Sequence, residues 1–156
     1  MRRLAALLVM LAVPVATRAQ HPDFTGKWTY DAASSSQSMM GQMSATLDIA
    51  QSPAALKLDQ SVSSSMGNQS SSLSYNLDGS ASKNTVDAQG QSLTLNSTTA
   101  WAGDTLVITT TAEIQGQAIK TVDHWSLDSD HKVLTMNTDI SVGPQSMTQK
   151  KVFKKS

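Results

Sequence analysis

The chain has 156 residues, of which 39% are hydrophobic, 15% are charged and 4% are aromatic, and it contains no cysteine. The length suits a single domain, and the missing cysteine excludes disulfides and cysteine-based metal sites. Twelve basic residues balance twelve acidic ones, so the charge does not favour nucleic-acid binding. No run of about 20 apolar residues occurs, so the sequence predicts no helical membrane span.

The first nineteen residues have the pattern of a secretory signal peptide. Arg2 and Arg3 precede a short apolar run, and small residues precede a cleavage position after Ala19. The apolar run is too short to anchor the chain in a membrane. We therefore expect a secreted or periplasmic protein in which residues 1–19 are removed and residues 20–156 form one domain. Removal takes away all three arginines and leaves nine lysines against twelve acidic residues.

From residue 44 onward, apolar and polar residues alternate with a period of two, which is typical of half-buried strands. Gly and Asp residues fall between these runs and favour tight turns. We predict an all-β fold, a single antiparallel up-and-down meander β-barrel of eight to ten strands, because closure removes exposed sheet edges. The predicted faces include Leu47 with Ile49, Leu56 with Leu58, Leu73 with Tyr75 and Leu77, Leu106 with Ile108, Asp123 with Trp125 and Leu127, and Leu134 with Met136 and Ile140.

Two stretches lack this alternation. Residues 32–43, after the first strand, predict a short helix or a mobile lid, and the serine-rich residues 61–74 predict a weak or frayed hairpin. The lid segment contains Met39, Met40 and Met43. Methionine thioethers bind Cu(I), so a copper site is one interpretation. The other is a lid that packs flexible methionines over an apolar barrel mouth, and we adopt it because no histidine lies nearby in the sequence.

A series of short motifs follows the chain in order. Residues 24–28 read FTGKW, with Gly26 and Trp28 on the first predicted strand, and Asp78-Gly79, WAGDTL, WSL and FKK follow. Together they resemble a family of small secreted bacterial lipocalin-like proteins within the calycin group, which also contains the fatty-acid-binding proteins. The resemblance implies an up-and-down barrel closed across one end by Trp28.

The resemblance also implies where a ligand would be held. Fatty-acid-binding proteins cap the barrel with two short helices, in the place that residues 32–43 occupy here. They hold a ligand carboxylate with an Arg-x-Tyr pair on the last strand. Lys151 and Phe153 stand at the corresponding positions, so the planar guanidinium and the tyrosine hydroxyl are both missing.

The predicted barrel interior is the candidate binding site. We expect a small apolar or amphipathic ligand in a cavity of about 300 Å³ or more. The alternative is a filled barrel that serves as a structural or interaction module through its outer surface. The predicted ligand-binding residues are Leu106, Ile108, Leu134, Met136, Ile140, Lys151 and Phe153.

Patterns for catalysis and metal binding are missing from the sequence. There is no G-x-S-x-G, Walker or dinucleotide motif, and the single glutamate, Glu113, leaves no paired acid system. The histidines His21, His124 and His131 are scattered without the spacing of metal ligands. We therefore predict that the protein is not an enzyme and has no cofactor or metal.

Overall fold

The computed structural model describes residues 21–36, 43–65, 67–88 and 90–156. Those residues form ten strands. They are β1 (Gly26–Tyr30), β2 (Met43–Gln51), β3 (Ala55–Ser64), β4 (Gly67–Asn76), β5 (Ser82–Ala88), β6 (Gln91–Ala102), β7 (Thr105–Ile114), β8 (Gln117–Leu127), β9 (Val133–Val142) and β10 (Gln145–Lys155).

The strands form one antiparallel up-and-down sheet that curls into a nearly closed barrel. Successive strands pair with each other except at β4 and β5, and β1 also pairs with β10, where Trp28 lies opposite Lys155. The predicted fold class is confirmed, with ten strands as the upper end of the expected range. Within the described ranges, no helix is long and apolar enough to cross a membrane.

The core follows from the period-two alternation. In β2, Ala45, Leu47 and Ile49 are buried, whereas the intervening residues are exposed, because successive side chains of a strand point to opposite faces. Strands β3, β4, β7 and β9 repeat this pattern, and the buried apolar residues form one continuous cluster inside the barrel. Its fully buried members include Phe24, Trp28, Ile49, Leu56, Leu106, Ile108 and Leu134.

Trp28 closes one end of the barrel. Its side chain is 1% exposed, and its indole N–H donates a hydrogen bond of 3.0 Å to the Phe24 carbonyl. The Lys155 ammonium lies 5.3 Å from the centre of the Trp28 ring. Gly26 has φ of +141°, and a Cβ there would lie 2.8 Å from Lys155 Cε. The glycine of the Gly-x-Trp motif therefore makes room for the lysine that covers the tryptophan.

Gln51 holds the segment before β1 across the end of the barrel that Trp28 closes. The Gln51 side chain accepts a hydrogen bond from the Phe24 N–H and donates one to the Pro22 carbonyl, both at 3.0 Å. The Gln51 N–H donates to Thr25 Oγ1 at 3.1 Å. These bonds hold Phe24 over the barrel, where its ring centre lies 5.9 Å from that of Trp125 in an edge-on arrangement.

Side chains close the seam between β4 and β5, where the backbone ladder is missing. Asn84 Oδ1 accepts from the Ser74 N–H at 2.8 Å, and Asn84 Nδ2 donates to the Ser74 carbonyl at 2.9 Å. Ser82 Oγ accepts from the Asn76 N–H at 2.7 Å, and Thr99 Oγ1 donates to the Asn76 carbonyl. The Asn84 amide thus takes the place of a strand backbone, which satisfies the edge of β4.

The connection from β1 to β2 lies partly outside the described residues. Residues 32–36 form turns, and Ser36 exchanges hydrogen bonds of 2.8 Å with the Lys150 backbone. Met39 and Met40, two of the predicted lid residues, lie outside the described residues. Met43, the third, is the first residue of β2.

The serine-rich hairpin of β3 and β4 is paired along its length, so the expectation of a frayed hairpin was wrong, and the alternative of a weak hairpin stays a prediction. Its ladder is continuous from Ala55 opposite Asn76 to Ser64 opposite Gly67. Polar side chains add cross-strand hydrogen bonds, which stabilise a sheet that has few apolar pairs. These bonds include Gln60 Nε2 to Ser71 Oγ at 2.8 Å, Ser63 Oγ to Asn68 Oδ1 at 2.6 Å, and Ser72 Oγ to Asp59 Oδ1.

Candidate functional site

An internal cavity of about 190 Å³ lies in the barrel and is smaller than the sequence led us to expect. It falls below the range of about 300–1,000 Å³ that is typical of drug-sized ligand pockets. The reason is that large rings, among them Trp125 and Phe153, occupy much of the interior. Its lining residues come from β2, β3, β4, β8, β9 and β10: Met43, Ala45, Leu47, Leu58, Gln60, Val62, Leu73, Tyr75, Asp123, Trp125, Met136, Lys151 and Phe153.

One wall of the cavity is built by β8, β9 and β10 and carries the two charged side chains of the lining, Asp123 and Lys151. Lys151 pairs with Met136, and Met136 pairs with Trp125, so these three residues form one row across the inner face of the sheet. Asp123 lies in the next inward-facing row, opposite Thr138. The remaining lining is mostly aliphatic and aromatic, so the cavity is amphipathic.

Asp123 is a half-buried carboxylate on this wall. Burial raises its pKa above the ordinary value of 3.8, while a hydrogen bond from Thr138 and the charges of Lys151 and His124 act in the opposite direction. Thr138 Oγ1 donates to Asp123 Oδ1, and Thr138 is itself 5% exposed. A carboxylate accepts several hydrogen bonds, so Asp123 has capacity for a further donor.

The indole N–H of Trp125 has no hydrogen-bond partner. In the described part of the chain it is the one buried side-chain polar atom in that condition. Trp125 is 3% exposed and lines the cavity, and Tyr75 packs edge-on against it with ring centres 6.5 Å apart. A buried donor without an acceptor is costly, by about 1–3 kcal/mol. The indole nitrogen is itself buried, so this cost belongs to the packing of the barrel.

Tyr75 brings a hydroxyl to the same cavity. Burial, and then the charge of Asp123, raise the pKa of Tyr75 above its usual value. The hydroxyl therefore stays protonated at neutral pH and can both donate and accept a hydrogen bond.

The structure brings only some of the predicted ligand-binding residues to the cavity. Met136, Lys151 and Phe153 line it, and so does the predicted lid residue Met43. The other predicted residues do not line the cavity. Leu106, Ile108 and Leu134 are buried in the core, and Ile140 is half-buried. Their roles in ligand binding stay predictions.

The sequence analysis did not identify several polar residues that line the cavity. Asp123 and Trp125 were placed on one inward strand face, but neither was named as a ligand-binding residue. The signal was available, since a carboxylate on an otherwise apolar inward face is unusual unless it is paired or functional. Gln60 and Tyr75 gave no comparable signal because their neighbourhood depends on how β3 and β4 curve around the barrel.

The histidines do not gather with other potential metal ligands. His21 stacks on Trp101 with ring centres 4.2 Å apart and an angle of 4°. His124 lies on the outer face of β8, 4.0 Å from Asp139, and His131 lies in a turn with φ of 56°. In the ranges that the structure describes, no three His, Asp or Glu residues are placed to hold a metal.

A larger hollow of about 660 Å³ lies on the outer face of β1–β4. Lys27, Asp48 and Asp59 line it, together with serines and threonines. The charges there are exposed, and the Lys27–Asp48 pair is 3.7 Å apart. Polar groups in this hollow remain hydrated, so the interior cavity, with its mostly apolar lining, is the stronger candidate for a binding site.

A nearly closed barrel of ten antiparallel up-and-down strands with an internal cavity defines a calycin-type fold, like that of the fatty-acid-binding proteins. No family model matches the chain, and no curated protein matches it. The likeness therefore rests on three-dimensional structure.

The solved structures similar to this chain include three with related barrels. Secretory abundant heat soluble protein 4 of Ramazzottius varieornatus is 12% identical with a TM-score of 0.54, over 85% of this chain and 94% of that one. Zebrafish ileal bile acid-binding protein with cholic acid is 12% identical with a TM-score of 0.53, over 85% and 98%. A Schistosoma mansoni fatty acid binding protein with arachidonic acid is 17% identical with a TM-score of 0.50, over 85% and 96%.

Proposed function

We propose that this chain is a secreted or periplasmic calycin-type barrel that binds a small amphipathic ligand in its internal cavity and is not an enzyme. The observation that carries the proposal is an interior cavity with a mostly apolar lining that Asp123, Lys151 and Tyr75 also line. A mostly apolar pocket with a few polar groups is typical of small-molecule sites. The aliphatic part of the lining suits an apolar tail.

The similar barrels support the same class of activity. One was solved with arachidonic acid and another with cholic acid. Here the cavity of about 190 Å³ suits a smaller ligand. A cavity of about 150 Å³ holds benzene, which has six carbon atoms. On that scale, this cavity holds about seven or eight non-hydrogen atoms.

Six-carbon compounds are matched probes for a cavity of this size. We expect at least one of hexanamide, hexan-1-ol, hexanoate and hexylammonium to bind the full chain with a saturable shift of the Trp125 indole resonance in NMR spectra. The three tryptophans give three such signals, and Trp125→Phe identifies the relevant one. Binding should be at least about ten-fold weaker in Ala45→Leu, because the larger side chain occupies the cavity.

Ser44→Leu is the matched control for this substitution. Ser44 precedes Ala45 in β2 but is exposed on the outer face, so the same side chain is introduced away from the cavity. Equal binding by the two variants would contradict an internal site. If none of the four compounds binds the unmodified chain, the barrel is a filled module and its outer surface becomes the candidate interface.

The proposed location has a separate test. When the full chain is expressed with its own leader in a bacterial secretion host, we expect exported protein whose intact mass starts at Gln20. The reason is the match of residues 1–19 to a signal peptide. An unprocessed chain retained in the cytoplasm would contradict the proposed location but not the ligand site.

A further inference from the structure

Two opposite charges face the cavity without touching each other. Asp123 and Lys151 both line it, and both are half-buried. They interact electrostatically, but the ion pairs within 4.0 Å among the described residues do not include them. The cavity is therefore close to neutral, with an acceptor and a donor separated by space.

A direct ion pair between Asp123 and Lys151 would leave few hydrogen-bonding groups free for a ligand at this wall. Here Thr138 satisfies one oxygen of Asp123, and a carboxylate can accept more bonds. The Lys151 ammonium has three donor hydrogens. The wall thus offers both hydrogen-bond donors and an acceptor to whatever enters.

The charge of the entering group decides how well these groups are satisfied. A carboxylate would be attracted by Lys151 but repelled by Asp123, and an alkylammonium would meet the reverse arrangement. Either adds a net charge to a site in which the charges of Asp123 and Lys151 balance each other, and burial is unfavourable for an unbalanced charge. An uncharged group that both donates and accepts can bond Asp123 with its donor and Lys151 with its acceptor.

We infer that the cavity selects an uncharged head group that both donates and accepts hydrogen bonds, such as a primary amide, over a carboxylate or an ammonium group. This inference rests on the proposed ligand-binding function and specifies the ligand class of that site. Asp123 and Lys151 are the residues that determine the specificity.

Hexanamide and hexanoate form a nearly isosteric pair that isolates the head-group charge. With the full chain at pH 8, we expect hexanamide to bind at least about ten-fold more tightly than hexanoate and hexylammonium, measured by calorimetry and by the Trp125 indole resonance.

Two charge substitutions should shift the preference in opposite directions. Asp123→Asn keeps an oxygen for Thr138 but leaves Lys151 unbalanced, so hexanoate should bind at least about ten-fold more tightly than to the unmodified chain. Lys151→Met leaves Asp123 unbalanced and should favour hexylammonium by a similar factor. A general loss of packing would weaken all ligands together and could not produce this exchange.

Asp139→Asn is the control, because Asp139 lies on the outer face of β9 with its side chain 57% exposed and should leave the preference unchanged. Hexanoate binding as tightly as hexanamide to the unmodified chain would overturn the selectivity while leaving the proposed function standing. An unchanged preference in both charge variants would also overturn it. If no probe binds any of these chains, the proposed function itself fails.

Discussion

Replacing Trp28 with alanine is expected to lower the free energy of unfolding by about 3–5 kcal/mol, the range for large aromatic residues removed from a core. Trp28 is 1% exposed and donates a hydrogen bond to the Phe24 carbonyl. The substitution creates a void at the closed end and leaves that carbonyl without its donor. Urea unfolding at equilibrium measures the change.

Trp101→Ala is the appropriate comparison. Trp101 is only half-buried and stacks with His21 and Phe24 at the edge of the same end. We expect a clearly smaller loss there, since less apolar surface returns to water. Equal losses for the two tryptophans, or a loss below about 1 kcal/mol for Trp28→Ala, would contradict the assignment of Trp28 as the residue that closes this end.

Asn84→Ala is expected to lower the free energy of unfolding by about 2 kcal/mol. The Asn84 side chain is 9% exposed and satisfies both the N–H and the carbonyl of Ser74 across the seam. Alanine leaves both backbone groups without these partners. Urea unfolding, together with faster amide hydrogen exchange at Ser74, checks the prediction.

Two further variants make this result specific to the seam. Asn84→Asp keeps the acceptor but places a second oxygen toward the Ser74 carbonyl, so it should not restore stability. Asn96→Ala removes an exposed amide from the neighbouring strand β6 and should change stability by no more than about 0.5 kcal/mol. An Asn84→Ala variant as stable as Asn96→Ala would show that the seam does not depend on the amide.

The fold was predictable because burial in a curled sheet follows a simple period. Leu47 and Ile49 alternate with Thr46 and Asp48 in the sequence, and they are 4% and 1% exposed in the structure. The hairpin of β3 and β4 was harder to predict, since Gln60, Ser63 and Ser72 stabilise it through polar cross-strand bonds. Hydrophobic alternation does not record such bonds.

The candidate site was only partly predictable for a related reason. Lys151 and Phe153 were found because they stand where the fatty-acid-binding proteins have their Arg-x-Tyr pair, and both line the cavity. Leu106 and Leu134 also face inward but lie within the packed core. The cavity residues and the core residues differ in their position along the barrel axis, which depends on how the strands are staggered. The sequence pattern identifies which face of the sheet a residue is on but not its position along that axis.

The role of Asn84 at the seam between β4 and β5 could not be predicted from the sequence, because it also depends on the assembled barrel. Asn84 is one polar residue among many in a serine-rich chain, and only the approach of Ser74 gives its amide a special role. The size of the cavity was also inaccessible to pattern reasoning. It depends on how the rings of Trp125 and Phe153 pack, and that packing is a property of the assembled barrel.

The pairing of β1 with β10 has a consequence for the order of assembly. Thr29 and Ser156 form a hydrogen bond of 2.7 Å although 127 residues separate them in sequence. The hairpins between neighbouring strands close small loops, whereas this contact closes nearly the whole domain and carries the largest loop entropy. β1 therefore keeps one unpaired edge until β10 is available to pair with it, so closure of the barrel follows the formation of the hairpins.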